Sequence, residues 1–102
     1  MEKTIFHRIL AGEVPCHTIF ENDDVLAFLD VFPLCKGHTL VIPKVEAKTL
    51  ADLPIEALEA FWVGARQAQQ RLSAVLAPEG YTYGINSGEI AGQAVPYLHL
   101  HI

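Results

Sequence analysis

The stretch from Ile55 to Leu76 constrains the fold most. Ile55, Leu58, Phe61, Trp62, Ala65, Ala68, Leu72, Val75 and Leu76 recur at steps of three and four residues, the spacing of one apolar stripe on an amphipathic helix. Pro54 precedes the run and Pro78 follows it; proline suits a first helical turn and cannot continue a helix. Phe61 and Trp62 fall within the stripe and are read as core. A chain of 102 residues is one domain by length, just large enough to bury a single core.

The surface that this stripe covers comes from the flanking sequence. Thr18 to Glu21 and Val25 to Leu29 are β-rich runs joined by Asn22-Asp23-Asp24, the pattern of a hairpin. Pro33 and Gly37 bracket a loop before a strand at Thr39 to Ile42, which Pro43 closes. A further strand is expected at Tyr81 to Ile85, then a small-residue loop from Asn86 to Pro96, then a last strand from Tyr97 to Ile102. A short helix at Ile5 to Leu10 ends at Gly12. The prediction is an α+β fold: an antiparallel sheet of about five strands with one long and one short helix, both helices against one sheet face.

Composition removes several classes of function. Hydrophobic residues make up 51% and charged residues 19%, a globular balance. A net charge of −5 argues against nucleic acid as a partner, because phosphate backbones are bound by clustered Lys and Arg. No run approaches the roughly 18 apolar residues of a membrane span, and Met1-Glu2-Lys3-Thr4 lacks the layout of a signal peptide. Cys16 and Cys35 form neither a close pair nor a zinc spacing. Two free thiols point to the cytosol.

The C-terminal segment carries the chemistry. In Tyr97-Leu98-His99-Leu100-His101-Ile102, strand alternation puts Tyr97, His99 and His101 on one face and the aliphatic residues on the other. The aliphatic side is expected under the long helix, the histidine side on a cleft or solvent. Catalysis, metal binding and a structural role all remain open on this spacing, since imidazole serves each. The preceding loop, Ser87 to Ala94, offers small residues whose N–H groups are free to hold an anionic oxygen. An anion-holding loop beside imidazoles is what acyl or phosphoryl chemistry requires. Asp30 ends an apolar strand and is either a solvated terminus or an acceptor for ribose hydroxyls. His38 stands at the start of the next strand, where a lone histidine is more often solvated. His7 and His17 are read as surface residues.

These segments together resemble the histidine-triad (HIT) family, most closely its Hint-like branch of nucleoside phosphoramidate hydrolases. The similarity runs through Thr4-Ile5-Phe6, Ile9 to Pro15, Glu21 to Asp30, Lys36 to Lys44, Asn86-Ser87-Gly88 and Gly92 to Val95, ending in the signature His-φ-His-φ-His-φ-φ, with φ apolar. The resemblance implies one HIT-like domain over residues 1–102 that acts at the α-phosphorus of a purine nucleotide through a covalent nucleotidyl-histidine. It implies His99 as the nucleophile, with His101 and His38 orienting groups or shuttling protons. By the same likeness Asp30 binds the ribose, and Asn86 with the backbone of Gly92, Gln93 and Ala94 holds the phosphate. Ile5, Phe6, Ile9 and Phe28 then line the base pocket. A homodimer, no cofactor and no metal go with it.

Three departures qualify the likeness. Tyr97 stands where the first histidine is expected; a phenol donates a hydrogen bond but carries no positive charge, so turnover is expected to be reduced, and Tyr97→His to raise it. The alternative reading is a purine-nucleotide-binding module with little or no turnover. Ala94 replaces a hydroxyl that assists the leaving group, an effect of roughly 10²–10³ in comparable cases. The last apolar position of the signature and the tail beyond it are expected to be missing after Ile102. Relatives with a structural zinc have a Cys-x-x-Cys pair where this chain has Thr4 and His7, and a histidine where it has Glu46. No such zinc is expected.

Overall fold

The computed structural model describes residues 2–33 and 35–102. Helix α1 (Ile5–Leu10) is followed by strands β1 (Thr18–Glu21), β2 (Val25–Leu29) and β3 (Thr39–Pro43). Helix α2 (Ile55–Leu76) then leads to two short strands, β4 (Gly84–Ile85) and β5 (Leu100–His101). All pairings are antiparallel, in the order β1-β2-β3-β5-β4, so the last strand inserts between β3 and β4.

Local chemistry sets the element ends. Thr4 caps α1, its Oγ1 accepting from the backbone of Phe6 and His7, and Gly12 beyond the helix has φ +78°. In the β1–β2 turn, Asn22 Oδ1 accepts from the N–H groups of Asp24 at 2.8 Å and Val25 at 2.9 Å, a side chain replacing a backbone turn. β5 is shorter than its alternation predicts. The N–H of Leu98 leaves the ladder and donates to Ala47 O at 2.8 Å. β4 likewise begins only at Gly84.

The sheet is buried on both faces. Val25, Ala27, Val41, Leu98 and Leu100 pack under Phe61, Ala65 and Ala68 of α2. Leu26, Phe28, Leu40, Ile42 and Tyr97 pack with Phe6 of α1 on the other side. The expectation that both helices share one face is therefore corrected. The cause is visible in β2, a continuous apolar run rather than an alternating one, as strands covered on both faces are.

The stripe of α2 is also narrower than expected. Its buried residues are Phe61, Gly64, Ala65, Ala68 and Leu72, whereas Trp62 is 42% exposed and Ile55 and Val75 more so. Trp62 is thus not a core residue. A Cβ on Gly64 would stand 2.4 Å from Val25 Cγ2, closer than packed atoms come, so this glycine lets the helix lie down on β2.

Candidate functional site

The three imidazoles of interest meet at one end of the sheet. β5 carries His101 opposite Leu40 of β3, and His38 immediately precedes β3. The backbone N–H of Asp30 donates to His38 O at 2.9 Å, which draws the end of β2 into the same corner. His38 Nε2 and His101 Nδ1 are 2.9 Å apart, and the His99 and His101 rings lie 5.0 Å apart, edge to face.

His99 is held in one tautomer. Its Nδ1 lies 2.7 Å from the carbonyl oxygen of Tyr97; a carbonyl only accepts, so the ring proton is on Nδ1 and the lone pair on Nε2. The ring is 6% exposed and Phe6 packs against it edge-on, with centroids 5.1 Å apart. Among the described residues every buried side-chain nitrogen has a hydrogen-bond partner, whereas the hydrogen bond of the His99 ring is made at Nδ1. Nε2 is therefore the part of the ring that reaches solvent. A solvent-facing nitrogen that bears the lone pair of the neutral tautomer, on a fixed ring, is what a nucleophile needs.

His101 is the group whose protonation the site perturbs. Burial lowers its pKa below the usual histidine value, and His99 and His38 beside it add to the effect, while Asp30 opposes it. Between its folded pKa and the unfolded value near 6.5, the unfolded chain binds more protons than the native one, so stability rises with pH across that window. The protein is expected to lose stability as pH falls below about 6.5, more steeply than a His101→Asn variant does. Denaturant melts of both proteins at several pH values test this; parallel curves would refute it.

The same corner gathers ligand-type atoms. Asp30, His38 and His101 each place a ligand-type atom within 4.8 Å of the others. The imidazole centroids are 5.2 Å apart, the nitrogen–nitrogen distance plus one ring radius at each end. The two nitrogens therefore point at one another across a shared proton. Two nitrogens on one tetrahedral ion at about 2.0–2.1 Å stand about 3.3–3.4 Å apart with both lone pairs aimed at the ion, whereas these aim at one another at 2.9 Å, the geometry of proton exchange. The Asp30 carboxylate, with Oδ2 3.7 Å from His38 Nδ1, contributes charge at longer range than a hydrogen bond. Its Oδ1 accepts from Phe32 N at 3.0 Å.

The other expected residues divide. Phe6, Ile9 and Phe28 join one apolar cluster beside His99, while Ile5 is 43% exposed and outside it. Two of the loop N–H groups expected to be free are engaged within the loop: that of Gly92 donates to Glu89 O at 2.9 Å and that of Gln93 to Gly88 O at 3.1 Å. The Gln93 side chain is buried, accepting from Gly88 N at 2.8 Å and donating to Lys48 O at 2.7 Å. Asn86 Nδ2 donates to Gly92 O at 3.4 Å. Ala94 is exposed. A cavity of about 610 Å³, walled by Leu72, Leu76, Pro78 and Tyr81, borders His38 and His101 and not His99.

Tyr97 has a different role from the one expected. It shares the face of His99, but it is 1% exposed and its hydroxyl donates to Pro43 O at 2.6 Å. Burial pushes its pKa up to about 12, with a smaller contribution from Glu46, so it remains a donor. Tyr97→His removes this bond and strands a buried carbonyl. Contrary to the expectation from the sequence, it should lower stability by about 2 kcal/mol without raising turnover. Thermal melts and an activity assay check both, and a faster, equally stable variant would contradict this account. His7, read as a surface residue, is also corrected: its side chain is 8% exposed and bonded at both ring nitrogens. The only sequence signal was Thr4-x-x-His7, a capping box with histidine in the usual Glu or Gln position.

Comparison with known proteins agrees with this geometry. A family model described as HIT domain matches residues 11–102. An uncharacterized HIT-like protein of Mycoplasma genitalium is 43% identical over 98 residues, 96% of this chain and 70% of the relative. An adenosine 5'-monophosphoramidase of Schizosaccharomyces pombe is 37% identical over 98 residues, 96% of this chain and 71% of the relative. A crystal structure of a HIT family member from Bacillus subtilis superposes with a TM-score of 0.93 at 35% identity, covering 98% of this chain and 71% of that one.

Proposed function

The chain belongs to the HIT domain family, and from that premise we propose that it cleaves purine nucleoside phosphoramidates, or related nucleotides, at the α-phosphorus through a nucleotidyl-His99 intermediate. The family contains a phosphoramidase. The observation that carries this reading is the 2.7 Å bond from His99 Nδ1 to Tyr97 O, which in the neutral ring puts the lone pair on the outward Nε2.

The reaction then has two displacements. Nε2 attacks phosphorus, the bond from phosphorus to the leaving amine breaks, and the amine departs with a proton from His101. Water then attacks the same phosphorus, the P–Nε2 bond breaks and the nucleotide leaves. One proton of that water returns to the His101–His38 pair, restoring the starting state. The 2.9 Å contact between His101 Nδ1 and His38 Nε2 supports a pair that gives a proton and retakes it. Asp30 binds the ribose in this reading, and Phe6, Ile9 and Phe28 face the base.

Free Cys16 and Cys35 support a reducing, cytosolic setting; among the described residues no helix is long and apolar enough to cross a membrane. The exposed Ile55, Trp62 and Val63 of α2 support a homodimer covering that face. Incubation with an adenosine phosphoramidate tests the reading: the protein should release AMP, and release no greater than that of His99→Ala would refute it. Tight AMP binding without release would favour a binding module instead.

A further inference from the structure

Resting on that reading of His99, we propose that Glu46 and His7 are positioning residues for the nucleophile, their hydrogen bond seating α1 so that Phe6 stays against the His99 ring. The N–H of Thr4 donates to His7 Nδ1 at 2.9 Å, so the ring proton lies on Nε2, which donates to Glu46 Oε2 at 2.6 Å. This hydrogen bond holds the Glu46 carboxyl below the usual carboxylate range.

An isolated exposed ion pair contributes little, but this one has a mechanical setting. α1 has six residues, far too few to persist as a helix by itself. Its place depends on what it touches. Among the described residues, His7 to Glu46 is the one side-chain hydrogen bond from α1 to a residue beyond its own cap; the other anchors are apolar, with Phe6 packed on Phe28, Tyr97 and His99, Ile9 and Leu10 on the same cluster, and the His7 ring edge-on to Tyr97.

Glu46 also lies in a strap that fixes the other side of the nucleophile. Between residues 43 and 48, Pro43 O accepts from the Tyr97 hydroxyl, Ala47 O from Leu98 N and Lys48 O from the Gln93 amide. Tyr97 supplies the carbonyl that sets the His99 tautomer. The strap therefore reaches His99 through its backbone on one side and through α1 and Phe6 on the other.

The test compares Glu46→Ala with Glu46→Gln in the full chain. Glutamine keeps an oxygen that accepts from His7, whereas alanine does not. Two quantities are read: the NMR shifts of the His99 ring protons, which sense the Phe6 ring edge, and kcat and KM for AMP release. Glu46→Ala should move the His99 shifts and lower kcat about tenfold with KM little changed, as a small misplacement of a reacting group does. Glu46→Gln should restore both. His7→Ala breaks the bond from the other side and also removes the cap contact to Thr4 and the ring packed on Tyr97, so it should move the His99 shifts at least as far; it covers the case in which Glu46→Ala fails to fold. Unmoved His99 shifts with unchanged kcat in either alanine variant overturn the proposal, as does failure of glutamine to restore them. A wild type that releases no AMP removes the functional reading alone, since the ring-proton shifts still decide the coupling.

Discussion

His99→Asn should lower kcat for AMP release by about 10⁴-fold or more, the scale on which loss of a covalent nucleophile is felt, while the protein remains folded. Asparagine is the informative replacement because of what His99 does structurally. Its Nδ1 is bonded to Tyr97 O, and the asparagine amide can donate to the same carbonyl from a similar position. Alanine would leave that buried carbonyl unpaired and a hole beside Phe6, confusing chemistry with packing. What asparagine lacks is a nitrogen where Nε2 stands. A sensitive AMP assay with circular dichroism of the same samples separates the two effects. Residual activity within tenfold of wild type in the folded variant would exclude attack by His99.

How much of this was legible follows the range of the interaction responsible. The long helix and the three longer strands are local patterns, and they stand close to where periodicity places them. His101 could be singled out from spacing and His38 only through the family likeness, and their 2.9 Å contact joins residues 63 apart, which no local signal encodes. Tyr97 is the instructive error. Alternation rightly puts it on the face of His99, but its hydroxyl is anchored on Pro43, 54 residues away, a partner that its place in the motif did not suggest. The small-residue loop is legible only in part, because glycine-rich backbone that could greet an anion can also close on itself, as the N–H groups of Gly92 and Gln93 do. The second sheet face was readable in principle: Val25-Leu26-Ala27-Phe28-Leu29 has no polar alternation, and such a run needs cover on both sides.

The other large effect concerns two neighbouring aromatic residues that periodicity alone treats alike. Phe61→Ala should cost about 3–5 kcal/mol, and Trp62→Ala about 1 kcal/mol, the scale of a partly exposed site. Phe61 is 0% exposed and packs among Val25, Ala27, Val41, Leu98 and Leu100, side chains held by the sheet ladder and poorly able to close over a hole. Trp62 touches the Phe61 ring edge at a centroid distance of 5.5 Å but turns outward, and water can take its place. Domains of this size are stable by only about 5–15 kcal/mol, so the first change removes a large share of the total. Urea melts should show the difference as a shift in midpoint with little change in slope. Equal losses at both positions would mean that α2 sits on the sheet rotated from the orientation described. A Trp62 penalty that grows with protein concentration would instead locate that ring in an interface between copies, because only an association that buries it makes its loss depend on how often two chains meet.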